Sequence, residues 1–126
     1  MKTQIVLAAV IKDGDKYLVC QRPPHKRHGG LWEFPGGKLE EGEDHKACAA
    51  RELKEELSLS VIGSGAVLFQ ARDPGSPFVI DFVPVETEGQ ITLHEHSAYQ
   101  WLTLDALKDL ALAPSDKAFV THLRHS

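Results

Sequence analysis

Residues 36–59 read GGKLEEGEDHKACAARELKEELSL. Two glycines open the stretch, an acidic loop around Gly42 follows, and RELKEEL then packs three glutamates into five positions. Ala49, Ala50, Leu53 and Leu57 recur at three- and four-residue spacing, the buried stripe of a helix. Asp44 has the short acceptor side chain of an N-cap, and the stripe runs out near Ser58. The spacing therefore predicts a helix between them. Glu52, Glu55 and Glu56 then fall on one face, because positions three and four apart are neighbours. A like-charge i,i+4 pair such as Glu52 and Glu56 costs roughly 0.2–0.5 kcal/mol when solvated.

Two arrangements offset that repulsion. In one, the face is solvated, Arg51 pairs with Glu55, and Lys54 lies nearby. In the other, the face binds a divalent cation. Clustered carboxylate oxygens suit a hard ion such as Mg²⁺, which keeps waters and shares substrate phosphates. The preceding Gly36 and Gly37 favour the second arrangement. They allow close backbone approach, and their carbonyls are possible ligands.

Outward from this stretch, Gln4 to Ile11 is apolar and β-rich, Asp13-Gly14 is a hairpin turn signal, and Lys16 to Arg22 is the return strand. Residues 23–30 (PPHKRHGG) form a polar loop, and 31–35 are short and aromatic. Beyond the helix, Val61 to Arg72 and Phe78 to Val85 read as strands separated by DPGSP at 73–77. Glu86 to Gly89 reads as a turn, and 90–94 and 99–102 as short strands. Thr103 caps a short helix through Leu110, and Pro114 and Ser115 introduce a last one to about His125. Helices inserted among strands, rather than alternating with them, predict an α+β fold, an α/β/α sandwich with a mixed sheet packed between helices.

The 126 residues suit one domain spanning 1–126. Net charge is -4, which argues against a general nucleic-acid binder and leaves a small nucleotide held with a metal ion open. Cys20 and Cys48 lack zinc-site spacing and read as buried thiols in a reduced cytosol. The first apolar run is too short to span a membrane, and no secretory signal is visible. The expected address is the cytoplasm.

Read whole, the opening stretch is Gly37, five residues, Glu43, seven residues, Arg51-Glu52-Leu53, one residue, Glu55-Glu56. This resembles the Nudix box, glycine-x5-glutamate-x7-arginine-glutamate-aliphatic-x-glutamate-glutamate-x-glycine-aliphatic. Ser58 departs from it, standing where the family has glycine, and Leu59 fills the final aliphatic place. A serine there must accept a left-handed backbone or end the helix another way. The resemblance implies a Nudix fold and hydrolysis of a nucleoside diphosphate linked to another group, with Mg²⁺ or Mn²⁺. By the same resemblance, Glu52, Glu55 and Glu56 form the metal-binding and base-supplying face, and the Gly36 carbonyl is a further ligand. Arg51 holds a box glutamate, and Glu43 is the outer acidic position. Which carboxylate acts as base stays open.

Gln21-Arg22 and GLWEFPGG at 30–37 look like the MutT branch of the family, nucleoside triphosphate pyrophosphohydrolases. The tail from Leu93 is similar to bacterial CTP pyrophosphohydrolases of that branch. Arg22 is then either a strand-end charge or a phosphate ligand, whose planar fork grips phosphate oxygens. Glu95 is a loop carboxylate or a further metal ligand. His94 and His96, which flank it, read as polar loop residues. Gly37 and Lys38 count among the substrate-binding positions, and Phe34 and Phe78 are stacking surfaces or core. Asp116 falls where MutT carries the asparagine that reads the base. An ionised aspartate only accepts hydrogen bonds, so it favours a base edge that donates, such as the cytosine amino group.

Three functions follow from the resemblance. The first is a pyrophosphohydrolase for (d)CTP, 8-oxo-dGTP or another damaged triphosphate, acting as a monomer or homodimer without a polymer or membrane partner. The second is a Nudix enzyme for ADP-ribose, a nucleotide sugar or a capped RNA end. The third is a non-catalytic binding module, which would ordinarily lose box glutamates that this chain keeps.

Overall fold

A computed structural model describes residues 3–72 and 75–126. Strand β1 (Gln4–Val10) turns through β2 (Lys12–Asp13) into β3 (Lys16–Gln21). Two short strands, β4 (Trp32–Glu33) and β5 (Gly36–Lys38), lead to helix α1 (His45–Leu57). Then come β6 (Ser60–Ser64), β7 (Phe69–Arg72), the long β8 (Phe78–Glu88), β9 (Ala98–Thr103), α2 (Leu104–Leu107) and α3 (Pro114–Arg124).

The main sheet runs β5-β1-β8-β6, with β7 also paired to β8. It is mixed, because β1 and β8 are parallel while β5, β6 and β7 pair antiparallel. A second sheet gathers β2, β4 and β9 around β3. Alternate residues of β1 serve opposite cores. Leu7 and Ala9 join Ala49, Leu53 and Leu57 of α1, whereas Ala8 and Val10 join Phe82, Leu107 and Phe119. A strand buried on both faces reads as one apolar run, which is why QIVLAAV shows no alternation. The expected sandwich is what forms.

Asp44 caps α1 as its sequence position predicts, accepting from the Ala47 amide at 2.8 Å. The helix ends at Ser58 in the left-handed conformation, φ 60° and ψ 26°. The Ser58 amide closes back onto Lys54 O, the 5→1 bond of a left-handed cap, and the Leu59 amide reaches Leu53 O. Serine therefore accepts the strain. Cys20 and Cys48 are free and buried.

Several expectations need correcting. The strand read over 61–72 is broken between Ser64 and Phe69 into β6 and β7, and both still follow β8. Strand β8 continues through Glu86 to Glu88, where a turn was expected, because β6 pairs with that part. Residues 90–94 form no strand. They instead bond the end of α1, Thr92 N to Leu57 O at 2.9 Å and His94 N to Glu56 O at 3.1 Å. These carbonyls have no partner inside the helix, so capping them competes with strand pairing. Helix α2 is shorter than expected. The turn expected at 73–77 falls partly on Asp73 and Pro74, which lie outside the described residues.

Candidate active site

Arg51 organises the acidic stretch. Its Nε and Nη2 grip Glu43 at 2.8 and 2.9 Å, and Nη1 reaches Glu52 at 2.7 Å. Glu40 lies 3.5 Å and Glu55 3.9 Å from the same guanidinium. Nη2 also donates to the Lys38 carbonyl at 3.1 Å, so one side chain fastens the acidic loop to α1. The two-pronged bond from Arg51, helped by the Glu40 amide, holds the Glu43 carboxyl down to about 2. The Arg51 guanidinium is correspondingly raised, through the same bond.

The three glutamates do not share one environment as the helical wheel suggests. Glu55 is exposed, Glu52 is mostly covered, and Glu56 is buried. Position 56 lies beside Leu53 and Leu57 of the buried stripe, so its carboxyl is drawn inward. Burial pushes Glu56 up to about 10, reinforced by a hydrogen bond to Glu52 and by the charges of Glu52, Glu95 and Glu33. Among the described residues no three His, Cys, Asp or Glu side chains stand close enough to hold a metal ion as they are. Arg51 already balances much of the repulsion between the glutamates. Glu95 is exposed, and its charge reaches Glu56.

His96 is not a polar loop histidine. It is buried, with a side chain only 5% exposed. Its Nε2 lies 3.0 Å from Glu33 Oε2, and its Nδ1 lies 3.9 Å from Glu56 Oε1. Arg22 Nη1 holds the other Glu33 oxygen at 2.9 Å, and Arg22 Nε donates to Arg27 O at 2.7 Å. Burial alone would raise the Glu33 pKa, but hydrogen bonds from His96 and Arg22 outweigh it and hold the carboxyl below the ordinary range. His94 instead meets Ser58 Oγ at 2.7 Å on the surface.

A cavity of about 330 Å³ lies beside this chain of groups. Arg22, Arg27, His28, Gly36, Gly37, Lys38, Phe78 and Asp116 all border it, which brings together residues far apart in sequence. Gly37 connects it to the glutamates, since a Cβ at that position would overlap the Glu52 carboxylate. Gly36 is equally confined, against the Leu7 carbonyl. Lys38 Nζ stands 5.0 Å from the centre of the Phe78 ring, so the expected aromatic surface there carries a cation.

Phe34 is corrected toward the core. It is 3% exposed, and its ring meets Tyr17, Phe82 and Phe119 edge-on. An aromatic enclosed by three others has no free face for a base. Its backbone amide donates to Asp116 Oδ2 at 2.9 Å. Asp116 is itself buried, and burial pushes it up to about 8. Burial thus favours the protonated form, in which one oxygen donates while the other accepts, as an asparagine would. The expected acceptor-only aspartate is the ionised form, which burial disfavours. Glu33, Arg27, His28 and His96 were not singled out from the sequence as site residues. The basic run PPHKRHGG and the repeated histidines around Glu95 were the only signals.

A larger groove, about 1270 Å³, opens between β6, the end of β8 and Trp101. Gly37, which abuts the Glu52 carboxylate, borders the smaller cavity and not this groove, so the smaller cavity is the better candidate. No helix among the described residues is long and apolar enough to cross a membrane.

The NUDIX domain model matches residues 1–123. The CTP pyrophosphohydrolase of Escherichia coli (strain K12) is 35% identical over 119 residues, covering 92% of this chain and 87% of that protein. An 8-oxo-dGTP diphosphatase of Buchnera aphidicola subsp. Schizaphis graminum is 31% identical, covering 95% and 91%. A solved MutT structure, from a study of the Aliivibrio salmonicida and Vibrio cholerae proteins, superposes with a TM-score of 0.81 at 27% identity, covering 97% of each chain.

Proposed function

Because the chain belongs to the Nudix hydrolase family, we propose that it hydrolyses a nucleoside triphosphate to the monophosphate and pyrophosphate, acting on (d)CTP or on an oxidised nucleotide such as 8-oxo-dGTP. The observation that carries this reading is the cavity itself. Asp116, Arg22, Arg27 and Gly36-Gly37-Lys38 all line it, and Gly37 abuts Glu52. A base beside Asp116 would direct its phosphates toward Glu52. The names of two relatives point to the same substrates.

Family members generally use a divalent metal, and the donors here suit one. Glu56 is a carboxyl buried among other carboxyls, a setting that a cation relieves, and every candidate ligand is a hard oxygen. Glu52, Glu55, Glu56, Glu95 and the Gly36 carbonyl are the groups we assign to Mg²⁺, with Mn²⁺ as substitute. The ion would neutralise phosphate charge and acidify a water. Glu52 or Glu55 would accept the water's proton as the anhydride between the α and β phosphoryl groups breaks. Arg22 and Lys38 would hold phosphate oxygens, and Arg51 would keep Glu52 and Glu43 in place. Neutral Asp116 would offer the base both a donor and an acceptor, and Phe78 a stacking face. We take 1–126 as one cytoplasmic domain, monomeric or homodimeric.

The test compares kcat/KM with Mg²⁺ for dCTP, CTP, dGTP and 8-oxo-dGTP, with products separated by ion exchange. Monophosphate plus pyrophosphate from one of these is the expected result. Glu56→Gln should remain folded and lose about a hundredfold or more in kcat. No cleavage of any triphosphate would discard the proposal, and near-normal turnover by the variant would remove Glu56 from the cation site.

A further inference from the structure

Among the described residues, His96 Nδ1 is the one buried side-chain nitrogen or oxygen without a hydrogen-bond partner. An unmade bond of this kind costs roughly 1–3 kcal/mol, so a buried orphan calls for an explanation. The atom faces Glu56 Oε1 at 3.9 Å, about 1 Å longer than the usual hydrogen bond. The ring is not free to turn away, because Nε2 is tied to Glu33, which Arg22 holds in turn. Glu56 is fixed at its own end by α1, whose Glu56 carbonyl accepts from the His94 amide at 3.1 Å, two residues before His96. Residues 94–96 therefore bond the Glu56 backbone and present a nitrogen to its carboxyl.

We propose that His96 is a positioning residue for Glu56: its Nδ1 becomes the partner of the Glu56 carboxyl when a divalent cation draws that group into place, and Glu33 fixes the imidazole for the purpose. The bond forms with the proton on either partner, since one nitrogen and one carboxyl oxygen meet in both cases. The inference rests on the cation reading given above. It adds a residue outside the box, from a loop 40 positions further along the chain (96 − 56 = 40). Hydrogen-bond partners of metal-ligating groups typically contribute about 10–100-fold to metal affinity, which sets the expected size.

Two amide substitutions separate the ring nitrogens. In His96→Asn the side-chain amide takes the place of Nδ1, and in His96→Gln that of Nε2. Mn²⁺ binding to the protein alone, without nucleotide, is followed by the electron paramagnetic resonance of free Mn²⁺, alongside Tm and the separate kcat and KM for dCTP. His96→Gln should weaken Mn²⁺ binding about tenfold or more and lower kcat, with KM within about threefold. His96→Asn should bind Mn²⁺ within about threefold of the native chain, which is rescue by the nitrogen that faces Glu56. Native binding in both variants would overturn the inference. So would equal weakening in both, with or without a matching loss of Tm. A native chain that binds no Mn²⁺ would overturn the cation reading and this role together, whereas native binding with indifferent variants would remove His96 alone.

Discussion

Asp116 lies in the first turn of the last helix with Oδ2 on the Phe34 amide, and its burial disfavours a charge there. An aspartate in the unfolded chain loses its proton near pH about 3.9. In the folded chain burial holds the proton until about 8. Between those values the folded state binds more protons than the unfolded one, so stability falls as pH rises and is fully present only below the lower value. Asp116→Asn keeps the acceptor for Phe34 and removes the titration. Its urea midpoint should therefore depend less steeply on pH than the native one between about 4 and 8, where the native aspartate titrates. Glu56, raised in the same direction, contributes equally to both proteins and does not disturb the comparison. Parallel curves would assign the slope to another group. Position 116 was legible in the sequence through its place in the family pattern. Its protonation was not, because that depends on a contact with Phe34, 82 residues away.

At the scale of elements, the exit of α1 shows how a departure from the family pattern is absorbed. A non-glycine residue in the left-handed region costs roughly 1–2 kcal/mol, yet Ser58 completes both bonds of the cap. Its hydroxyl also gains His94. Ser58→Gly removes the backbone cost and that exposed bond together, the latter worth about 0.5–1.5 kcal/mol. The net change should be a gain of at most about 1.5 kcal/mol in urea denaturation, with kcat/KM unchanged. A loss of stability would mean that the His94 bond outweighs the strain, and a loss of activity would mean that the cap shapes the site. Helix α1 was legible from end to end because its stripe, N-cap and stop are local. The segment 90–94 was not. QITLH has strand-like residues, and only the bare carbonyls of α1 explain why it caps a helix instead. The site divides in the same way. The positions within 36–56 follow from spacing, while Glu33 and His96 meet across 63 residues and left no periodic signal.

Across the whole molecule, the two cores keep the α1 face and the α3 face of one sheet in fixed relation, so Asp116 and the Gly37 that abuts Glu52 line one cavity. The frame is sound without a ligand, but Glu56 is held against its charge by burial and by its acidic neighbours. A cation that binds there favours the folded chain only, because the unfolded chain scatters the ligands. Folding stability should then rise with free Mg²⁺, by about 2.7 kcal/mol at a hundred times the Kd. Calorimetric Tm measured across a Mg²⁺ series reads this directly. Glu56→Gln should behave oppositely in two respects. Without metal its Tm should equal or exceed the native value, since an amide is neutral without taking up the proton that burial imposes on Glu56. With metal its Tm should rise far less. A native Tm that ignores Mg²⁺, measured without nucleotide, would overturn the cation reading. The chain alone would then rely on Arg51, already in contact with Glu43 and Glu52, to balance its acidic face.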